Sequence, residues 1–532
     1  MRGSFRRELE ARASDPADRV WLFVPYDQLS DQIGPLSRLD PDRAGIVLVE
    51  SRWKAARRPY HKQKLALILA NLRHFALEQA ARGVAIRHVV AVGPYRDTLA
   101  PLAEELGGLT TMEPAERELR MDLAPLVADG RLRLVPHEGW LTTSEQFAAS
   151  QKGAPPWRMD AFYRQVRRDC GVLMDERGKP VGGKFSFDAE NREPWAGDPP
   201  APGEPVFPGD PVKEEVLELV AASFADHPGE LLPDALTATQ ADAEALWAWA
   251  KTECLPHFGP FEDAMSHRSE GLFHTRISFL LHVHRLLPTR VVHEVEALEA
   301  PLSSREGFVR QVLGWREFMR HVHLRTDGFR DLSGSTPADA GVEPAAPSAL
   351  GADRALPPAW WGAKSGLACL DTVVDSVLRT GYSHHITRLM VLSNLATLLD
   401  VSPRELTDWF WAVYTDAFDW VVEPNVLGMG TFAAGDLMTT KPYVSGAAYI
   451  DRMSDYCDGC AFDPKTTCPI TSLYWAFLGR HEPELRDNPR MRLPLASLRK
   501  RSEEKQKRDA AVFGVVSRKL EAGRVLDPAG FG

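Results

Sequence analysis

The sequence predicts two halves, a parallel α/β sheet domain of the Rossmann-like kind followed by an all-helical domain. Three observations carry that expectation. Residues 19–145 alternate short apolar runs with helical spacing. Residues 146–215 turn basic and then rich in glycine and proline, and from 216 onward apolar residues recur at helical intervals. At 532 residues the chain has length for two or three domains with full cores.

In the first half, VWLFVPY from Val20, GIVLVE from Gly45, AIRHVVAV from Ala85 and LRLVP from Leu132 read as buried strands. KLALILANLRHFALEQAA, from Lys64, has helical spacing between the second and third. Ligands of parallel sheets gather beyond the strand C-termini, which puts Tyr26, Asp27, Gln28, Glu50, Ser51 and Arg52 near any pocket; ordinary loop chemistry suits them as well. Residues 1–18 carry no apolar leader core and read as a short polar extension. RMDAFYRQVRRDCG is basic and helical, and the Gly/Pro-rich remainder of 146–215 is expected to connect the domains. The helical domain spans 216–510, with EEVLELVAASF, ADAEALWAWAKTEC, FVRQVLGWREFMRHV, ACLDTVVDSVLRT and ITRLMVLSNLATLL as its clearest helices, and 511–532 reads as a tail. Residues 333–358 are too rich in Pro, Ala and Gly to pack and are expected to form a surface loop.

Hydrophobic content of 44% and charged content of 26% are those of a globular chain, and no run of about 18 apolar residues exists to span a membrane. Six cysteines in this length do not make a disulfide scaffold and point to the reducing cytoplasm. A net charge of −10 argues against blanket nucleic-acid binding, so any basic face must be local.

Four segments carry candidate chemistry. Cys457-x2-Cys460-x7-Cys468-Pro469 sets three thiolates close enough to share a metal. The spacing admits zinc, an iron–sulfur cluster or a metal-free surface loop; the proline after the last cysteine leans toward iron–sulfur. In FHTRISF, the hydroxyls of Thr275 and Ser278 at a helix start suit a phosphate, or simply cap the helix. In FVRQVLGWREFMRH, Gln311 and Trp315 share a helix face, as an aromatic core stripe also would. In GYSHHITRLM, His384 and His385 follow a glycine break with Arg388 one turn on.

In this order the segments resemble the photolyase/cryptochrome superfamily, most of all its bacterial iron–sulfur branch of (6-4) photolyases and related cryptochromes. The resemblance runs from Val20 to about Arg508 and rests on PYHKQKLALIL, PVGGKFSFDAENREP, GWREFMR, YSHHITRLM, PNVLGMGTFAAGD and YIDRMSDYCDGC. It implies an α/β antenna domain, an all-helical FAD-binding domain, FAD, a 4Fe-4S cluster and a 6,7-dimethyl-8-ribityllumazine antenna. Its implied activity is blue-light repair of the (6-4) pyrimidine photoproduct in UV-damaged DNA by a monomer; some members are photoreceptors instead.

Residue by residue, the resemblance makes Cys369 the fourth cluster ligand beside Cys457, Cys460 and Cys468. His385 becomes the acid that assists repair, with His384 and Arg388 orienting it or meeting the flipped nucleotides and their phosphate, and Gln311 and Trp315 facing the lesion. FAD would lie against His274, Thr275, Arg276, Ser278, Asp416, Asp419, Glu423 and Asn425, with Glu423 or Asn425 near flavin N5. Trp409, Trp361 and Tyr449 match an electron relay, whereas Phe410 and Phe418 stand where relatives tend to carry tyrosine. The antenna would meet Tyr26, Asp27, Gln28 and Glu50, but the family usually has glycine where Tyr26 stands, and a ring there could fill the pocket. Arg52, Arg57, Arg58 and Lys62, together with Arg164 and Arg168, are the candidate DNA contacts.

Overall fold

The computed structural model describes residues 3–334 and 343–531. Five strands, β1 (Val20–Phe23), β2 (Ala44–Ser51), β3 (Ala85–Ala91), β4 (Leu109–Met112) and β5 (Leu132–Val135), form one parallel sheet in the order β3-β2-β1-β4-β5. Val20 pairs with Ala44 and Gly45 with Ala85, so β2 lies central and is buried over all but its last residue. The strand order reverses between β1 and β4, and ligands of such sheets gather beyond the strand C-termini. Strand β4, LTTM, is the one the apolar pattern missed: two threonines interrupt it, and pairing to β1 and β5 holds it in place.

Helix Lys62–Ala81 covers the sheet, its first turn capped by the His61 ring accepting from the Gln63 N–H. The polar extension expected over 1–18 contains an amphipathic helix, Ser4–Ala11. Its Phe5 and Leu9, four residues apart, are buried, and the Phe5 ring sits under the Arg73 guanidinium.

Helix Met159–Cys170, expected within the connecting segment, belongs to the helical core: Phe162, Tyr163 and Val166 are fully buried, and the Tyr163 hydroxyl donates to the Glu306 carboxylate at 2.9 Å. The Gly/Pro-rich stretch after it has only short 3-10 turns before helix Pro211–Ser223, which Asp210 caps. Helix Glu503–Glu521 runs across the boundary drawn at 510 and buries Val516 and Leu520, so this part of the expected tail is packed structure. Of the expected 333–358 loop, residues 335–342 lie outside the described residues, and 343–357 run without a helix.

Candidate active site

The helical half encloses a cavity of about 310 Å³. Three of its walls are turns of the wider π type, Arg310–Arg316, Arg388–Ser393 and Pro424–Gly430. A π turn adds a residue to the helical ladder and re-aims the side chains that follow, and such turns concentrate at functional sites. The first turn brings Gln311, Trp315 and Arg316 to the cavity, the second Arg388 and Leu389, and the third Asn425 and Met429. His274, Thr275, Arg276, Ser278, His384, His385 and Asp416 complete the set that the sequence singled out.

Three histidines meet at one end. The rings of His274 and His384 stack at 4.4 Å and 9°, and His385 stands edge-on to His274 at 5.3 Å. Burial, and then the charge of the neighbouring imidazoles, pushes His274 and His384 far below the ordinary histidine range, so both are neutral at pH 7. His274 Nε2 and His384 Nδ1 are buried without a hydrogen-bond partner. His385 differs in exposure: its side chain is 41% exposed, with Nε2 3.8 Å from Asp263 Oδ1. Asp263 in turn accepts from the Tyr449 hydroxyl at 3.3 Å. Neither Asp263 nor its link to Tyr449 is marked by any local pattern, and both escaped the sequence reading. Gln311 donates through Nε2 to Glu262 Oε1 at 2.5 Å on the same side.

Arg388 does not reach freely into the cavity. It clasps Asp416 with two bonds of 3.0 and 3.1 Å, while its Nε donates to the Ser383 carbonyl. Ser278 donates to the same Asp416 carboxylate at 2.7 Å, so its hydroxyl already has a partner. Burial raises the Asp416 pKa, but the guanidinium outweighs it and holds the carboxyl below its usual range. Asp419 and Glu423, expected against the cofactor, do not line the cavity. Asp419 accepts from the Glu118 N–H, and Glu423 is buried between His323 (2.9 Å) and Arg404 (3.0 Å). Of the two candidates for the flavin N5 side, Asn425 is the one on the wall.

Arg316, within the GWREFMR segment, is given no role by the sequence. Its guanidinium lies over Trp140 at 4.2 Å, and Nη1 donates to Glu317, but Nε and Nη2 are buried with no partner on the cavity wall. Unpaired buried donors are costly unless a ligand meets them. With the orphaned imidazole nitrogens they fit a large polar cofactor.

The chain has no disulfide among the described residues. Cys369 is buried, and Cys457, Cys460 and Cys468 are half-buried around it. Burial raises the Cys369 thiol far above its ordinary range, and the other three thiols raise it further, which marks all four as neighbours. Among the described residues no three Cys, His, Asp or Glu side chains stand at metal-ligating distances, so the thiols are gathered but not closed on one centre.

Residues 22–235 match the family model of deoxyribodipyrimidine photo-lyase-related protein, and residues 308–467 match that of the FAD binding domain of DNA photolyase. A (6-4) photolyase of Agrobacterium fabrum is 33% identical over 518 residues, covering 94% of this chain and 99% of that protein. The chain belongs to the photolyase family. Its fold is that of solved photolyases and cryptochromes. A bacterial class III photolyase from Agrobacterium tumefaciens superposes with TM-score 0.56 at 16% identity over 95% of this chain and 99% of that one. A Synechocystis cryptochrome does so with TM-score 0.56 at 16% identity, over 94% and 99%.

Within this photolyase fold the remaining candidates divide. Phe410 lines the cavity and touches Trp409 edge-on at 5.2 Å; Trp409 Nε1 donates to the carbonyl of the fully buried Trp360, and Trp361 beside it is 45% exposed. Tyr414 stacks on Phe410 at 5.2 Å and 9°, placing a tyrosine against the position where the chain lacks one. Tyr449 is on the Asp263 side and not on this aromatic path.

At the C-terminal end of the sheet, Tyr26 and Glu50 line a small cavity, but Asp27 and Gln28 do not. Gln28 donates to the Met112 carbonyl, Asp27 accepts from the Ala115 N–H, and Glu50 is buried in a bidentate pair with Arg73. Arg52 and Arg57 are exposed and Lys62 half-exposed, whereas Arg58 turns inward to Glu118 and lies 3.7 Å over Trp411. Lys64 of the same run is buried on the carbonyls of Trp411 and Ala417. Arg164 and Arg168 are exposed beside Phe185. No helix among the described residues is long and apolar enough to cross a membrane.

Proposed function

We propose that this photolyase repairs (6-4) pyrimidine photoproducts in DNA under blue light. The observation that carries the reading is His385, half-exposed beside Asp263 at the end of a cavity whose walls also present Gln311 and Trp315. The residues lining that cavity would hold FAD, whose chemistry when bound, reduced and excited would be one-electron donation to the lesion.

The chain's own residues do the rest. His385 is placed to pass a proton from Nε2 to the lesion, with Asp263 Oδ1 3.8 Å away on the same nitrogen. His274 and His384, buried and neutral, offer ring nitrogens as hydrogen-bond partners without adding charge. Arg316 would offer its two unpaired donors to a bound cofactor, the Arg388–Asp416 pair stiffens the wall, and Asn425 would offer its amide there. The lesion must leave the helix to reach the pocket, which costs about a few kcal/mol and less for a damaged step. The exposed Arg52, Arg57, Arg164 and Arg168, with the half-exposed Lys62, suit phosphates of the flanking duplex.

Cys369, Cys457, Cys460 and Cys468 fit a 4Fe-4S cluster: four unpaired thiols from two distant segments meet in a half-buried site. The protein acts as a monomer in the cytoplasm, where such thiols stay reduced.

The test is illumination of the reduced protein with an oligonucleotide carrying one defined (6-4) lesion. Restoration of the two pyrimidines is expected. Failure by protein that holds flavin and photoreduces cleanly would overturn repair and favour a photoreceptor.

A further inference from the structure

The C-terminal ends of β1 and β2 lie at the edge of the sheet where ligands of parallel sheets gather, and the resemblance places a ribityllumazine antenna there. In this chain the space there is nearly filled. The cavity between Tyr26, Ser51, Lys54, Ile68, Tyr95 and Phe418 measures about 50 Å³. A cavity of about 150 Å³ is what accepts a single benzene ring in a protein core, and one water takes about 30 Å³. A bicyclic chromophore with a five-carbon chain needs several times the space present.

The occupant is a side chain. Tyr26 is buried and stacks on Phe418 at 6.3 Å and 15°. Lys54 Nζ closes over the ring at 5.5 Å and is itself held 2.7 Å from Glu116 Oε2. On the far side, Phe418 packs edge-on against His282, a wall residue of the flavin cavity, and lies under Lys64, whose ammonium donates to two backbone carbonyls. Tyr26 therefore cannot swing aside without breaking a column packed from both ends, and packed interiors resist such shifts.

We propose that this photolyase excludes a bicyclic antenna from the C-terminal end of the sheet because the Tyr26 ring occupies the volume there, leaving the flavin to gather its own light. The inference rests on the photolyase reading but is read by binding, without DNA or light. Purified protein is incubated with excess 6,7-dimethyl-8-ribityllumazine, and the bound lumazine-to-FAD ratio is measured after gel filtration, with lumazine fluorescence quenching as a second readout. A ratio near zero for the unaltered protein and for Tyr26→Phe, rising toward one for Tyr26→Gly, is expected. Stoichiometric lumazine in the unaltered protein would overturn the proposal, whatever its repair activity. Binding by Tyr26→Phe, or a folded, flavin-loaded Tyr26→Gly that stays empty, would overturn the assignment to the ring.

Discussion

His385 and Asp263 are brought to 3.8 Å by the fold, the imidazole from the first residue of the short helix His385–Thr387 and the carboxylate from an irregular segment far earlier in the chain. The carboxylate is not free to wander, because the Tyr449 hydroxyl donates to it. His385, rather than the neighbouring His384, is the ring of this pair of histidines that reaches solvent, since His384 is buried and neutral.

His385→Ala is accordingly expected to keep FAD and photoreduction but to lose repair by the ~10²–10⁴-fold typical of a missing general acid. Asp263→Asn should lower the repair yield less steeply with lesion affinity retained. Single-turnover repair and lesion binding by gel shift separate the two. Normal repair by His385→Ala would remove it as the acid.

Arg388→Ala strands the Asp416 carboxylate, buried and stripped of its bidentate partner. Breaking such a pair costs about 3–5 kcal/mol. The expected result is a lower urea midpoint and poor flavin retention, in place of a selective defect in lesion binding. Wild-type stability in that variant would show the pair to be dispensable.

If the four thiols hold the proposed cluster, Cys369→Ser and Cys457→Ser should each lose iron and most of the folded yield, because ligation would tie two segments separated by a long loop. Iron analysis checks this. Unchanged iron in both would remove the cluster from the protein.

Trp409→Phe should lose most of the photoreduction rate of oxidised flavin, since Trp409 links Phe410 at the cavity to Trp360 and the exposed Trp361. Tyr449→Phe should photoreduce normally, because Tyr449 stands beside Asp263. Steady-state bleaching of the flavin band under blue light reads both, and equal loss in Tyr449→Phe would put the path elsewhere.

Burial raises the Asp27 carboxyl from 3.8 to about 6. A folded pKa above the unfolded one contributes stability at pH below 4 that is lost as pH rises through 6. Asp27→Asn removes that loss, so it should stabilise the protein at pH 8 by up to about 3 kcal/mol relative to its effect at pH 4. Denaturant midpoints at the two pH values check the sign.

Much of this was legible in the sequence because its signals are local. Strands β1, β2, β3 and β5 show as apolar runs, and the helices as regular spacing. Gln311 with Trp315, His384 with His385 and Cys457 with Cys460 are near neighbours in the chain, so spacing alone places each pair. What only the tertiary structure decided depends on partners far away in sequence. Glu423 and Asp263 are both acidic residues near candidate segments, yet one is buried between His323 and Arg404 while the other meets His385. Arg57 and Arg58 are adjacent, yet one is exposed and the other paired with Glu118. Strand β4 needed its neighbours' hydrogen bonds, and the three π turns that aim side chains into the cavity have no sequence signature of their own. A charged side chain reads the same in sequence whether it faces a cavity, a counter-ion or water; the energy of burying it depends on what the fold sets opposite it.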